Sequence, residues 1–183
     1  MKILPWSLFS LVVVAGAVLL CAGSTAISDD RDSAVVVNLE RLTWKQLQER
    51  LANKQVKYTM IDAWSTTCGP CKENFPHVLE MHRKYAGKGL AVISLSLDDP
   101  TDKAAVAEAE RFLKEKKAVF TNVLLDENAG DGFDKLNINA IPAVFLYGPD
   151  GKEVKRFTMD NPDNQFTYAE VDKAVAALLD GKS

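Results

Sequence analysis

Short apolar runs alternate along this chain with stretches whose apolar residues recur every three or four positions. The runs predict buried strands and the stretches amphipathic helices. Residues 34–39, with three consecutive valines, read as a first strand. Thr43 can cap a helix reaching residue 53. Gln46 completes a capping-box pattern, and Trp44, Leu47 and Leu51 form the apolar stripe. Residues 56–64 read as a buried strand. A helix over 71–85 follows, with Phe75, Val78, Leu79 and His82 on one face, and Gly87 and Gly89 end it. Residues 90–97 are a further strand. Thr101 or Asp102 can then cap a helix to residue 116, with Ala105, Ala109, Phe112 and Leu113 as its apolar side. Residues 119–125 read as a strand, 126–132 as a loop and 133–136 as a helical turn. Strands 143–147 and 152–157 flank the turn Gly148-Pro149-Asp150-Gly151, and a last helix covers 166–179 with Val171, Val175 and Leu178 at helical spacing.

The resulting order, β-α-β-α-β-α-β-(α)-β-β-α, predicts an α/β domain with parallel strands joined by crossover helices, closed by an antiparallel hairpin. The 183 residues suit one such domain plus an extra piece at the front. That piece has a positive start at Lys2, an apolar centre over residues 8–20 and small residues from Ala22 to Ala26. This is the form of a secretory signal, with cleavage before Ile27. Uncleaved, residues 3–22 are long enough to anchor the chain in a bilayer. Lipid attachment at Cys21 is a third route, disfavoured by the bulky Leu20 before it. Each route places the globular part outside the cytoplasm. The expected organisation is a signal peptide or anchor over 1–26, a polar linker over 27–33 and the domain over 34–183.

Charge narrows the partners. Lys2 is the one charged residue of the first 26, so the net charge of −3 becomes −4 without them. An acidic domain argues against nucleic acid. The acids of the loops, Asp98, Asp99, Asp126, Glu127 and Asp131, read as solvated, without the regular spacing of a calcium site.

Past residue 26 only Cys68 and Cys71 remain of the three cysteines. A structural disulfide framework needs more cysteines at wider spacing. Two cysteines three apart, where a strand gives way to a helix, suit a disulfide that closes and reopens. The unpaired N–H groups of a helix start favour a negative charge, so a thiolate at Cys68 is primed to attack and Cys71 to resolve the mixed disulfide. Half a zinc site is the competing reading. It requires four ligands, and His77 and His82 lie about 140° apart around one helix. Pro70 has the fixed φ that a first helical turn accepts.

Asp62-Ala63-Trp64, Cys68-Gly69-Pro70-Cys71, Pro76, Ile141-Pro142 and the run from Phe145 to Lys152 stand in an order that resembles the thioredoxin-fold family. Within it, the chain looks most like the extracytoplasmic thiol–disulfide oxidoreductases of the TlpA/ResA type. The helical segment between the strands ending at Leu97 and beginning at Val119 matches the insertion of that type. The resemblance implies a thioredoxin fold: a central mixed sheet flanked by helices, with a helical insertion between central strands. It implies that Asp62 is a buried acid moving protons to and from Cys71, with burial raising its pKa toward neutrality. It also implies a cis Ile141–Pro142 bond packed against the cysteines, with the Ile141 backbone offered to an extended substrate. Pro76 bends the helix, and Gly69-Pro70 points to a reducing couple nearer thioredoxin, about −270 mV, than DsbA, about −120 mV. Two positions depart from the pattern. Thr67 replaces a tryptophan of thioredoxin. Asn74 stands where TlpA/ResA proteins often have glutamate, and Glu73, one residue earlier and about 100° round the helix, faces solvent and does not inherit that role.

The expected catalytic set is Cys68, Cys71 and Asp62. The expected substrate-contacting set is Trp64, Thr67, Gly69, Pro70, Ile141 and Pro142, with no metal and no cofactor. The leading function is reduction of disulfides in extracytoplasmic proteins, such as apocytochromes or copper-site proteins, by a monomer recharged by a membrane thiol donor, since that compartment lacks the cytosolic reducing pool. A thiol peroxidase is a second reading. Those folds place proline and threonine upstream of the attacking cysteine, where this chain has Ile61 and Ser65. A redox-inactive module holding peptides beside Pro142 is a third, and the intact cysteine pair argues against it.

Overall fold

The computed structural model describes residues 36–128 and 130–182. The targeting segment and linker expected over 1–33 lie outside the described residues, as do Ala34 and Val35. Six strands form one sheet in the order β1-β4-β3-β2-β5-β6. They are β1 Leu39–Leu42, β2 Tyr58–Trp64, β3 Leu90–Ser96, β4 Thr121–Leu125, β5 Ala143–Tyr147 and β6 Glu153–Phe157. The first four run parallel to one another, β5 is antiparallel to β2, and β6 is antiparallel to β5, as the alternation and hairpin predict.

Helices α1 (Trp44–Leu51), α2 (Gly69–Tyr85), α3 (Lys103–Glu115), α4 (Asp131–Leu136) and α5 (Tyr168–Leu179) cover both faces. Side chains alternate across a strand. Met60 and Trp64 of β2 therefore join the apolar layer of α2, α3 and α5. Ile61 and Ala63 join Leu47 and Leu51 of α1 and Leu136 of α4 on the opposite face. Asp62 shares the phase of Met60 and Trp64 and faces the first layer. The α3 segment, between β3 and β4, is the expected helical insertion.

Capping accounts for several helix starts. The Thr43–Gln46 capping box opens α1 as read from the sequence, and a second box, Thr167–Glu170, opens α5. Asp102 caps α3, its carboxylate accepting from the N–H groups of Ala104 and Ala105. Gly89 closes the turn after α2 with φ +103°, and a Cβ there would lie 2.9 Å from Lys57 Cγ, so glycine is required twice over.

The first strand differs from expectation. It starts at Leu39, and Val36 is 85% exposed outside it. The strand forms where β4 offers backbone partners, Leu39 opposite Asn122 through Leu42 opposite Leu125. Val36 and Val37 have the propensity for a strand and lie outside that register. β4 likewise begins at Thr121, leaving Val119 exposed. On α2 the buried stripe is Cys71, Phe75, Val78, Met81 and Tyr85, and Leu79 and His82 sit half-buried at its edge.

Candidate active site

The redox turn joins the end of β2 to the start of α2. Leu97 N–H donates to Trp64 O at 2.8 Å, extending the β2–β3 pairing one step. The chain then turns through Ser65–Thr67. Asp98 holds this turn. Its carboxylate accepts from Thr66 N–H at 3.0 and 3.1 Å, from the Thr66 hydroxyl at 2.6 Å and from the Ser96 hydroxyl at 2.7 Å. It is 8% exposed, so the reading of Asp98 as a solvated loop acid is corrected. A buried carboxylate needs such donors, and the folded turn supplies them.

Cys68 is the N-cap of α2, and its Sγ accepts from Cys71 N–H at 3.2 Å. Pro70 lies in the first turn, where its missing N–H has no intrahelical partner to lose. Cys68 and Cys71 are joined by a disulfide with Cα atoms 5.3 Å apart. Cys68 is 9% exposed and Cys71 0%, so the first cysteine is the reachable one. The Cys71 N–H that now meets the Cys68 sulfur is placed to stabilise a thiolate after reduction.

The Ile141–Pro142 bond is cis, and Ile141 O lies 3.8 Å from Cys68 Sγ. A groove of about 590 Å³ opens here, lined by Thr67, Cys68, Pro70, Asp98, Asp99 and Ile141 among others. Gly69 also lines it, and Thr67, Gly69 and Pro70 are exposed. Pro142 is buried and does not line the groove, so the expected substrate contact at the cis bond falls to Ile141. Trp64 does not reach the groove. It is fully buried against Phe75 and Phe112, and its Nε1–H donates to Ser94 Oγ at 2.9 Å. Its place as a substrate contact is therefore corrected to a support beneath the turn. Asn74 binds the Pro70 carbonyl at 2.9 Å, while Glu73 is exposed, as its position on the helix predicts.

Asp62 is wholly buried. Its Oδ1 accepts from the Tyr168 hydroxyl at 2.6 Å, and its Oδ2 has no partner among the described residues. Burial pushes its pKa up to about 7, with the Tyr168 hydrogen bond acting the other way. The Tyr168 hydroxyl is pushed up in turn, by burial and then by the adjacent carboxylate. Neither histidine joins the cysteines: His82 packs edge-on to Phe120 and His77 stacks on Tyr168.

Asp98 and Tyr168 were missed by sequence reasoning. Tyr168 had a usable signal. It extends the stripe of Val171 and Val175 backward by three, and a buried tyrosine hydroxyl calls for a partner.

A helix-capping disulfide beside a cis-proline loop on this sheet defines a thioredoxin-fold thiol–disulfide oxidoreductase. A profile of the AhpC/TSA family matches residues 31–156, and the chain belongs to that family. It is 29% identical over 138 residues to the thiol-disulfide oxidoreductase ResA of Bacillus subtilis, covering 75% of this chain and 71% of that protein. ResA of Oceanobacillus iheyensis is 25% identical over 149 residues, covering 78% and 74%. Among solved structures, a Chlorobium tepidum protein described as a thiol:disulfide interchange protein DsbE superposes with a TM-score of 0.55 at 26% identity, covering 69% of this chain and 82% of that one.

Proposed function

We propose that this protein reduces disulfides of proteins outside the cytoplasm through the Cys68–Cys71 pair. The observation that carries the reading is the disulfide at the start of α2, with its outer sulfur 9% exposed beside a groove and 3.8 Å from the Ile141 carbonyl. In the reduced protein the Cys68 thiolate attacks one sulfur of the partner disulfide. A Cys68–partner bond forms, and the other partner sulfur leaves as a thiolate that takes up a proton. Cys71 then loses its proton and attacks Cys68 Sγ. The Cys68–Cys71 bond closes and the second partner thiol leaves. Two electrons and two protons pass to the partner, and the disulfide described above is the product state.

Asp62 is the proton acceptor for Cys71 in this reading, since its carboxyl titrates near neutrality in the layer that holds that cysteine. The groove receives an extended partner segment, with Ile141 offering backbone and Thr67, Gly69 and Pro70 forming the rim. Residues 1–26 export or anchor the domain. A membrane thiol donor returns the pair to the dithiol, and the partners are cysteine proteins of that compartment, apocytochromes or copper-site proteins among them. Among the described residues no helix is long and apolar enough to cross a membrane, so an anchor would come from the leading segment.

Equilibration of the purified protein with defined dithiol buffers tests the reading. A two-electron transition at about −270 mV or below supports a reductase, whereas about −120 mV would make it an oxidant. Replacing Cys68 by Ser should return insulin or mixed-disulfide reduction to the uncatalysed rate. Retained turnover in that variant, or no two-electron transition in the parent, defeats the proposal. Peroxide consumed faster than protein disulfide would favour the peroxidase reading instead.

A further inference from the structure

We propose that Tyr168 is a positioning residue for proton transfer at the redox pair: its phenol ties Oδ1 of Asp62 and leaves Oδ2 as the atom that takes and returns the Cys71 proton. The inference rests on the oxidoreductase reading above. Three observations carry it. The Tyr168 hydroxyl donates to Asp62 Oδ1 at 2.6 Å across 106 residues of sequence. Both residues are buried, Asp62 at 0% and Tyr168 at 5% exposure. Asp62 Oδ2 is buried with no partner among the described residues. A carboxylate held at one oxygen by a strong donor has a defined orientation, and here its other oxygen is the one left without a donor.

The surroundings make Tyr168 the control point. From α5, Tyr168 meets Asp62, and from α2 Cys71 lies in the same layer. Farther along α2, Tyr85 belongs to that layer too, and His82 packs on Phe120. In β3 and β5 the register partners of Asp62 are Ser94 and Val144, neither charged. His77, exposed on α2, stacks on the Tyr168 ring with centroids 5.8 Å apart. The Thr167–Glu170 capping box fixes the start of α5 and so the place of the phenol. A hydrogen bond from Tyr168 favours the charged form of Asp62. Removing it makes the carboxylate appear at higher pH, and the resolving attack by Cys71 with it.

Stopped-flow mixing of the reduced full-length protein with excess 5,5′-dithiobis(2-nitrobenzoate) separates the two steps. The first thiol release depends on reagent concentration. The second, in which Cys71 attacks, does not. In Tyr168→Phe, which keeps the ring, the pH midpoint of the second phase should rise by about one unit, giving about tenfold slower resolution below the parent midpoint. Asp62→Asn should flatten the profile, and Tyr168→Phe should add no further shift in that background. A second measurement removes nothing: replacing all four tyrosines by 3-fluorotyrosine, a stronger donor, should move the midpoint down. A second-phase profile unmoved by either change overturns the proposal and leaves Tyr168 as packing alone. Absence of the concentration-independent phase in the parent, with Cys71 failing to resolve any mixed disulfide, overturns the oxidoreductase reading itself.

Discussion

Two buried carboxylates lie along the strands beside the redox turn, one in β2 and one just after β3, and their surroundings treat them in opposite ways. Asp98 is 8% exposed and accepts from Thr66 N–H, the Thr66 hydroxyl and the Ser96 hydroxyl. Asp62 is 0% exposed and has one donor, Tyr168, with its second oxygen bare among the described residues. Asp62 is enclosed in the apolar layer, where burial raises its pKa, whereas Asp98 borders the groove and has more donors, which replace the water that a buried carboxylate loses. Asp98 is solvated by the protein and works as a pin, tying the end of β3 to a turn 32 residues earlier. Asp62 is under-solvated, and its proton is held up to about pH 7.

The sharpest way to break this contrast is to remove the pin. Asp98→Ala leaves one N–H and two hydroxyls inside the turn without their acceptor. Each buried donor without a partner costs about 1–3 kcal/mol, and water from the groove offsets some of that, so the loss should be about 3–5 kcal/mol. Urea unfolding of the oxidised protein measures it. A loss under about 1 kcal/mol would mean that water substitutes for the carboxylate and that the turn is held elsewhere.

The next effect has the opposite sign. Asp62 titrates at 3.8 when unperturbed and about 7 in the fold. Between those values the folded protein holds a proton that the unfolded chain has released. Its stability is therefore full at low pH, falls as pH rises through this window and levels off above about 7. Asp62→Asn cannot titrate and should lose that slope. From pH 5 to pH 8 the parent should lose about 2–3 kcal/mol relative to the variant. Parallel stability profiles would show that Asp62 is as well solvated as Asp98, and the contrast would fail.

The two acids also show where sequence reasoning succeeds and where it stops. Asp62 was legible because it interrupts an apolar strand six residues before Cys68, in a motif the resemblance recognises. Asp98 was not, because an acid after a strand looks the same whether it faces water or a loop 32 residues away. The same limit explains Trp64, whose closeness to the cysteines suggested contact with substrate, whereas the pleat of β2 turns it inward. Local chemistry was read well: the Thr43–Gln46 box, β5 at its stated limits and the cap of α3, which falls to Asp102, one of the two candidates. Register was not. The valines before Leu39 carry strand propensity, and only the backbone of β4 determines which residues pair. The cis Ile141–Pro142 bond came from the resemblance, since proline alone does not select the cis form.

The smallest effect tests how the pin is built. Ser96 donates its hydroxyl to Asp98 Oδ2 and accepts from Asp98 N–H at 3.2 Å. Ser96→Ala removes one of several donors to the carboxylate, while the Thr66 contacts on Asp98 persist. The loss should be about 1–2 kcal/mol, well below that of Asp98→Ala. The two residues share one network, so their effects should not add. In an Asp98→Ala background the Ser96 hydroxyl has lost its carboxylate acceptor but still accepts from the backbone N–H of residue 98, so truncating it should cost less than in the parent. Additive losses would mean that Ser96 acts on something other than Asp98. A Ser96→Ala loss as large as that of Asp98→Ala would mean that the carboxylate depends on this one donor, as Asp62 depends on Tyr168, and the distinction between a fully solvated acid and a sparsely solvated one would no longer separate the two sites.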